Sequence, residues 1–249
     1  MGNSWYTGLI LELRRRYEKL PYGFGTAFRV VYTLSHTEDD GIVNTSSAQI
    51  PGDFSAERSD SLLDRHHRFA VSGVFDMPAW LGKLQFAPVL RLASGAPFNL
   101  SNGGDAFHDR NLDDVNSDRP DFTGSLAAIR WRRVTDPLDV ALARSFVLSP
   151  IGRAGNLSRN AGHGPPQFMF DLNVSREFRF GERIKLRPQV EVSNVLNATA
   201  FSFGSEFINY EAVSGDPTPT QILELKAGFL VPTRAYRPRQ IRLGLRLDF

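Results

Sequence analysis

The 249 residues contain no cysteine, which excludes disulfides and thiolate metal sites and leaves the redox compartment open. No apolar run approaches the ~18 residues that a membrane-crossing helix needs. That absence does not exclude a β-barrel, whose apolar residues are diluted by alternation. An excess of charge of one sign is also missing. The 29 basic residues nearly match 27 acidic ones, for a net charge of +2, so the total gives no case for binding nucleic acid. Nucleophile–base pairs, Gly-rich phosphate loops and metal-hydrolase motifs are lacking, and Ser94-Gly95 has no flanking Gly-X-Ser-X-Gly pattern. No enzymatic activity is expected. Met1 to Tyr17 has no basic region ahead of its apolar stretch, so it is not a secretory signal peptide. What is present is 41% hydrophobic and 22% charged residues, ordinary for an ordered protein. Phe is abundant at 19, against three Trp and six Tyr.

The C-terminal residues carry the sharpest pattern. From Arg239 to Phe249, Ile241, Leu243, Leu245, Leu247 and Phe249 alternate with Gln240, Arg242, Gly244, Arg246 and Asp248. Strand side chains point to opposite faces with period two, so the segment has one apolar wall and one polar wall. A strand of about 9–11 residues crosses a bilayer at a tilt. A terminal strand of this kind, ending on Phe, resembles those of bacterial outer-membrane β-barrels.

Six further segments alternate in the same way. They run over 8–14, 24–34, 68–77, 84–93, 168–179 and 184–193. Their polar faces carry charges of both signs, which suits a hydrated lumen. The connections alternate in length. Those at 17–22, 78–82 and 180–182 are brief, whereas 36–66, 95–166 and 197–238 are long and rich in Gly, Asn, Asp, Ser and Pro. Short periplasmic turns and long extracellular loops are the barrel habit. If the last strand descends to the periplasm, all three long connections fall outside. The pattern predicts an all-β, antiparallel transmembrane barrel segment of about seven strands. Bacterial single-chain barrels have even strand numbers, so an odd count reads as the C-terminal part of a larger barrel, with 1–249 lacking a signal peptide and any preceding domain. Pro88 and Pro188 fall inside proposed strands, where each removes a ladder donor. Arg176 falls on the apolar phase and is expected near the periplasmic headgroups. Gly73 is read as a bend.

Several elements in order resemble the C-terminal barrel of TonB-dependent transporters, most closely the Oar-like branch. They are Asp64-Arg65-His66-His67-Arg68-Phe69, Ser94-Gly95-Ala96-Pro97-Phe98, Asn116-Ser117-Asp118-Arg119-Pro120, Gly152-Arg153-Ala154-Gly155-Asn156, Glu191-Val192-Ser193-Asn194-Val195-Leu196-Asn197 and Arg237-Pro238-Arg239-Gln240-Ile241. The Gly-rich element departs from the family pattern at Asn156. The resemblance implies a barrel of about 22 strands with a plugged lumen. It also implies energised uptake of an unidentified nutrient, driven through a plug domain and a TonB-binding motif that these residues do not contain. Implied partners are outer-membrane lipid and lipopolysaccharide, the barrel-assembly machinery acting on Ile241, Leu243, Leu245, Leu247 and Phe249, and TonB only through an N-terminal portion. Alternatives are a structural or adhesive outer-membrane barrel and a soluble β-sandwich binding module.

Candidate ligand sites are few. Asp109, Asn111 and Asp113 alternate within an acid-rich loop, and oxygen donors at that spacing suit calcium. The Gly that an EF-hand-like loop needs is replaced by Asp114, and a solvated loop built on Asx-turns is the other reading. His66 and His67 are adjacent and so cannot chelate from one strand face; a loop-to-strand hydrogen-bonding role is expected. His36 and His108 are assigned to separate loops. Arg183, Lys185 and Arg187 read either as an anion path or as a lumen wall paired with plug carboxylates and with Glu177 or Glu191 across the hairpin. Arg14, Arg15 and Arg16 read as an interfacial anchor.

Overall fold

The computed structural model describes residues 2–41, 48–103, 109–114, 118–137, 139–181, 183–203, 206–211, 221–222, 228–236 and 238–249. Seven long strands form one sheet: β1 (Ser4–Lys19), β2 (Gly25–Asp39), β3 (His67–Asp76), β4 (Leu84–Ala93), β5 (Gln167–Arg176), β6 (Ile184–Ser193) and β7 (Gln240–Asp248). Each pairs antiparallel with its neighbour in sequence, so the sheet is an up-and-down meander. β1 and β7 are its outer strands, each with one neighbour among the described residues. The sheet is therefore open rather than closed into a ring.

Register carries the alternation from strand to strand. Leu13, Val30, Val71, Leu90 and Phe170 stand opposite one another in a row across five strands. The row formed by Leu11, Tyr32, Phe69, Leu92 and Phe168 lies beside it. On β6 and β7, Val192, Val190 and Leu186 face Ile241, Leu243 and Leu247. A one-residue slip anywhere would move an apolar set to the polar face. The one register shift among them is a single-residue step between Arg15 and Glu18 in β1, beyond the apolar rows and beside a short turn.

Both prolines sit where the ladder opens. The β3–β4 register is the same on either side of the gap between Ser72↔Val89 and Phe75↔Phe86. Gly73 thus stands across from Pro88, and the missing proline donor falls where pairing is interrupted. A Cβ on Gly73 would come within 2.8 Å of the Ala27 carbonyl oxygen and 3.2 Å of Phe28 Cβ. Gly73 is a point of close approach between β2 and β3 rather than merely a bend. Pro188 behaves likewise. The register of Ser175↔Gln189 continues unchanged at Phe178↔Leu186, so the pairing with β6 is interrupted where Arg176 faces Pro188.

The short connections lie at one end of the sheet. They are the turn through Pro21–Gly23, the turn through Ala79–Leu81 and the hairpin around Gly181. The long connections gather at the other end, and there the structure goes beyond the sequence expectation of loops. They fold into a packed crown with a core of its own. Phe98, Leu100, Phe122, Ile129, Phe146, Leu148, Leu157, Ala161, Phe229 and Leu230 form one buried cluster. Phe122 and Phe146 rings approach to 4.6 Å, and Phe98 stacks on Phe203 at 3.9 Å. Short strand pairs tie the crown together, Pro97–Phe98 with Gly162–His163 and Asp121–Phe122 with Phe146–Val147. One helical turn, α1 (Val140–Arg144), is capped by Asp139, which accepts from the Ala141 and Leu142 amides.

Burial is thus inverted. Among the described residues, every buried Ala, Leu, Ile and Phe side chain lies in the long connections and none in β1–β7. The apolar rows of the sheet face outward instead.

Candidate functional site

Three surfaces can carry function: the outward apolar wall, the charged inner face and the crown. On the wall, Ile241, Leu243, Leu245, Leu247 and Phe249 are all exposed, Leu243 at 81% and Phe249 at 96%. Leu9, Leu11 and Leu13 are exposed at the other edge. Contiguous apolar surface on this scale marks contact with a membrane or a partner. A sheet of a soluble sandwich would pack these residues against a second sheet, so the soluble β-sandwich reading is overturned. Arg176 ends β5 on the same phase, next to the short turns. Its guanidinium lies 4.6 Å above the Phe178 ring, so it sits at the edge of the wall, where an Arg costs little.

The inner face carries matched charges. Arg29 reaches both carboxylate oxygens of Glu12 at 2.9 Å. Arg187 donates to Glu177 at 2.5 Å and Arg179 to the same carboxylate at 2.8 Å. Arg91 lies 3.7 Å from Asp171. The Arg187 row is therefore partly neutralised by Glu177, as in the lumen-wall reading, while Glu191 stands across from Arg242. Arg14 and Arg16 line a groove of about 620 Å³ with Glu12, Arg29 and Ser72. Arg15 is held by Glu18 at 2.7 Å.

Buried ion pairs tie the crown together and latch it to the sheet at Asp39. Arg119 forms a two-pronged pair with Glu57 at 2.8 and 2.9 Å and donates to the Leu157 carbonyl at 2.8 Å. Arg159 pairs with Asp39 at the outer end of β2 and donates to the Glu57 carbonyl at 3.0 Å. Glu57 also accepts the Gln49 amide at 3.0 Å. Breaking such a buried pair leaves an uncompensated charge and costs about 3–5 kcal/mol. Two of the sequence elements meet here. Arg153 pairs with Asp121, and Asn156 bridges the Phe122 amide and the Asp121 carboxylate. A Cβ on Gly155 would come within 1.9 Å of the Arg119 carbonyl oxygen, so only glycine permits the two segments to touch. Asn116, Ser117, His108 and Arg237 lie outside the described residues.

In the acid-rich loop the Asp109 carboxylate holds the backbone. Asp109 accepts the amides of Asp113 and Asp114 at 3.1 and 3.0 Å, and the Asn111 side chain donates to the Gln49 carbonyl and to Asp113. The Asp109 bonds span four and five residues, longer than the two of an Asx-turn. Asp118 is buried and accepts the Arg110 and Asn111 amides at 2.6 and 2.9 Å. Burial pushes its carboxyl above the ordinary carboxylate value, against the pull of those two amides. Burial also holds the His163 imidazole below its usual value.

The histidines part company. His67 stacks beside Tyr32, whose hydroxyl lies 2.9 Å from Nδ1. His66 turns instead towards His36. His36 lies inside β2 rather than in a loop, because Ser4–Thr7 of β1 carry the ladder past the apolar stretch and pair with His36–Asp39. Sequence periodicity gave no signal for that extension or for the pairing of His36 with His66.

Residues 1–240 fit the family model described as an outer membrane beta barrel domain. No curated protein and no solved structure matches the chain.

Proposed function

Since the chain belongs to the outer membrane beta barrel domain family, whose place is the bacterial outer membrane, we propose that it forms the C-terminal wall and outer vestibule of a TonB-dependent receptor of Oar-like type. Its inner face and crown would border the path of a nutrient, and energy would come through a plug domain and TonB-binding motif supplied elsewhere in the receptor. The observation that carries the reading is the interlock of the crown elements, in which Gly155 packs on Arg119 and Arg153 pairs with Asp121. The order of those elements resembles the transporter family, and their contacts give them a shared structural purpose. The outward row ending in Phe249 is the surface offered to lipid, to lipopolysaccharide and to the barrel-assembly machinery.

A second reading, a structural or adhesive barrel without transport, draws support from the buried Glu57–Arg119 latch, which would keep the crown rigid. Crosslinking in intact cells separates the two. The protein carrying this chain, purified from formaldehyde-treated cells, should bring down TonB if it is a receptor. Absence of TonB, together with uptake unaffected by deletion of TonB, would leave the structural barrel.

A further inference from the structure

The outer end of β2 holds a cluster that barrel architecture does not require. The imidazoles of His36 and His66 stack with centroids 5.1 Å apart. His66 Nε2 lies 3.3 Å from Asp64 Oδ2, and His36 Nε2 lies 3.8 Å from Asp60 Oδ1 and from Glu38 Oε1. One donor atom from each of His36, Asp64 and His66 falls within 4.8 Å of the others, and the same holds for His36, Glu38 and Asp60.

Asp64 is the decisive member. Its side chain is 1% exposed. Oδ1 accepts the Thr37 amide at 2.7 Å, whereas Oδ2 is buried and accepts no hydrogen bond. Leaving a buried carboxylate oxygen without a donor is costly. That oxygen is aimed at His66 Nε2. Donors bound to zinc at about 2.0–2.1 Å in a tetrahedron stand about 3.3 Å apart, which is the Asp64–His66 separation. The Thr37 amide fixes the carboxylate from behind, as outer contacts do at metal centres.

We propose that His36, Asp64 and His66 bind a divalent cation of the zinc class at the extracellular rim as a three-residue site, leaving a fourth position to water. Two imidazoles with one carboxylate suit zinc, copper or nickel, whereas calcium takes six to eight oxygen donors. The bound ion would join β2 to the segment entering β3 and so clasp the base of the connection between them. The site stands independently of the uptake reading.

The test is a titration of the full chain, folded in detergent micelles, with zinc against a chromogenic chelator, and in parallel with cobalt as a visible-absorbing substitute. The expected result is one tight ion per chain and an intense tetrahedral cobalt band. His36→Gln and His66→Gln should each weaken zinc at least tenfold, while His67→Gln leaves it unchanged. Calcium in large excess should not compete. His36 is half exposed, so its substitution should leave the fold intact, and circular dichroism checks this. Zinc affinity unchanged in the His36→Gln, His66→Gln double variant, or equal weakening by His67→Gln, would overturn the site.

Discussion

Placing an arginine on the outward face of β4 tests the membrane wall quantitatively. β4 has 10 residues, and each climbs roughly 2.5 Å at a strand tilt near 40°. The strand therefore spans about the 25 Å of an apolar band. Leu90 lies roughly 4 Å from the middle of that span, between Val71 and Phe170 on its neighbours. Leu90→Arg should cost about 2–4 kcal/mol, or ~30- to 900-fold in the folding equilibrium. Leu84→Arg, at the turn end of the strand, should cost about 0–1 kcal/mol. Val89 is one residue away on the inner face, between Ser72 and Asp171. Val89→Arg gains a carboxylate neighbour and should change stability by about 0.5 kcal/mol or less. Urea-dependent folding into phosphatidylcholine vesicles, followed by tryptophan fluorescence, measures all three. Equal penalties at Leu90 and Val89 would refute the assignment of faces, and equal penalties at Leu90 and Leu84 would refute the depth.

Three further outcomes follow from the crown and the terminus. Glu57→Gln strands the buried Arg119 and should destabilise the crown by about 3–5 kcal/mol; limited trypsin digestion should then cut within 94–166 while the sheet stays protected. Asp118 has its carboxyl raised by burial, so it favours the folded state fully only below the ordinary value of 3.8 and loses that contribution as pH rises through the raised value. Asp118→Asn should thus leave the crown at least as resistant as the parent to trypsin at pH 7, and in hydrogen exchange the difference should vanish near pH 4. Deleting Phe249, which is almost fully exposed, should slow assembly in cells severalfold while leaving urea stability in vesicles unchanged to within about 0.5 kcal/mol, as read by pulse-chase heat-modifiability and equilibrium folding.

The sheet was legible because its driving pattern is local. Alternation at Phe168, Phe170, Leu172 and Val174 names the outward face with no knowledge of the neighbours, and the register then places Leu92, Leu90, Pro88 and Phe86 opposite. Strand ends were less legible. The apolar alternation ends at Leu9, yet the β1–β2 ladder continues through Ser4↔Asp39. The prolines looked like contradictions because sequence does not reveal that Gly73 and Arg176 lie across from them. The crown was illegible for a different reason. Phe98, Phe146 and Phe229 converge from distant stretches without period, so composition suggested only loops. Its Arg119–Glu57 and Arg159–Asp39 pairs join residues 62 and 120 apart. Neither these pairs nor the meeting of His36 with His66 follows from local spacing.

The most direct measurement walks a spin label one residue at a time from Gln167 to Arg176 in the chain reconstituted into bilayers. Collision with oxygen should peak at Phe168, Phe170, Leu172 and Val174, and collision with a water-soluble nickel chelate should peak at Met169, Asp171, Asn173 and Ser175. Two accessibility profiles that rise and fall together, or that show no period of two, would contradict a wall with lipid on one side and water on the other.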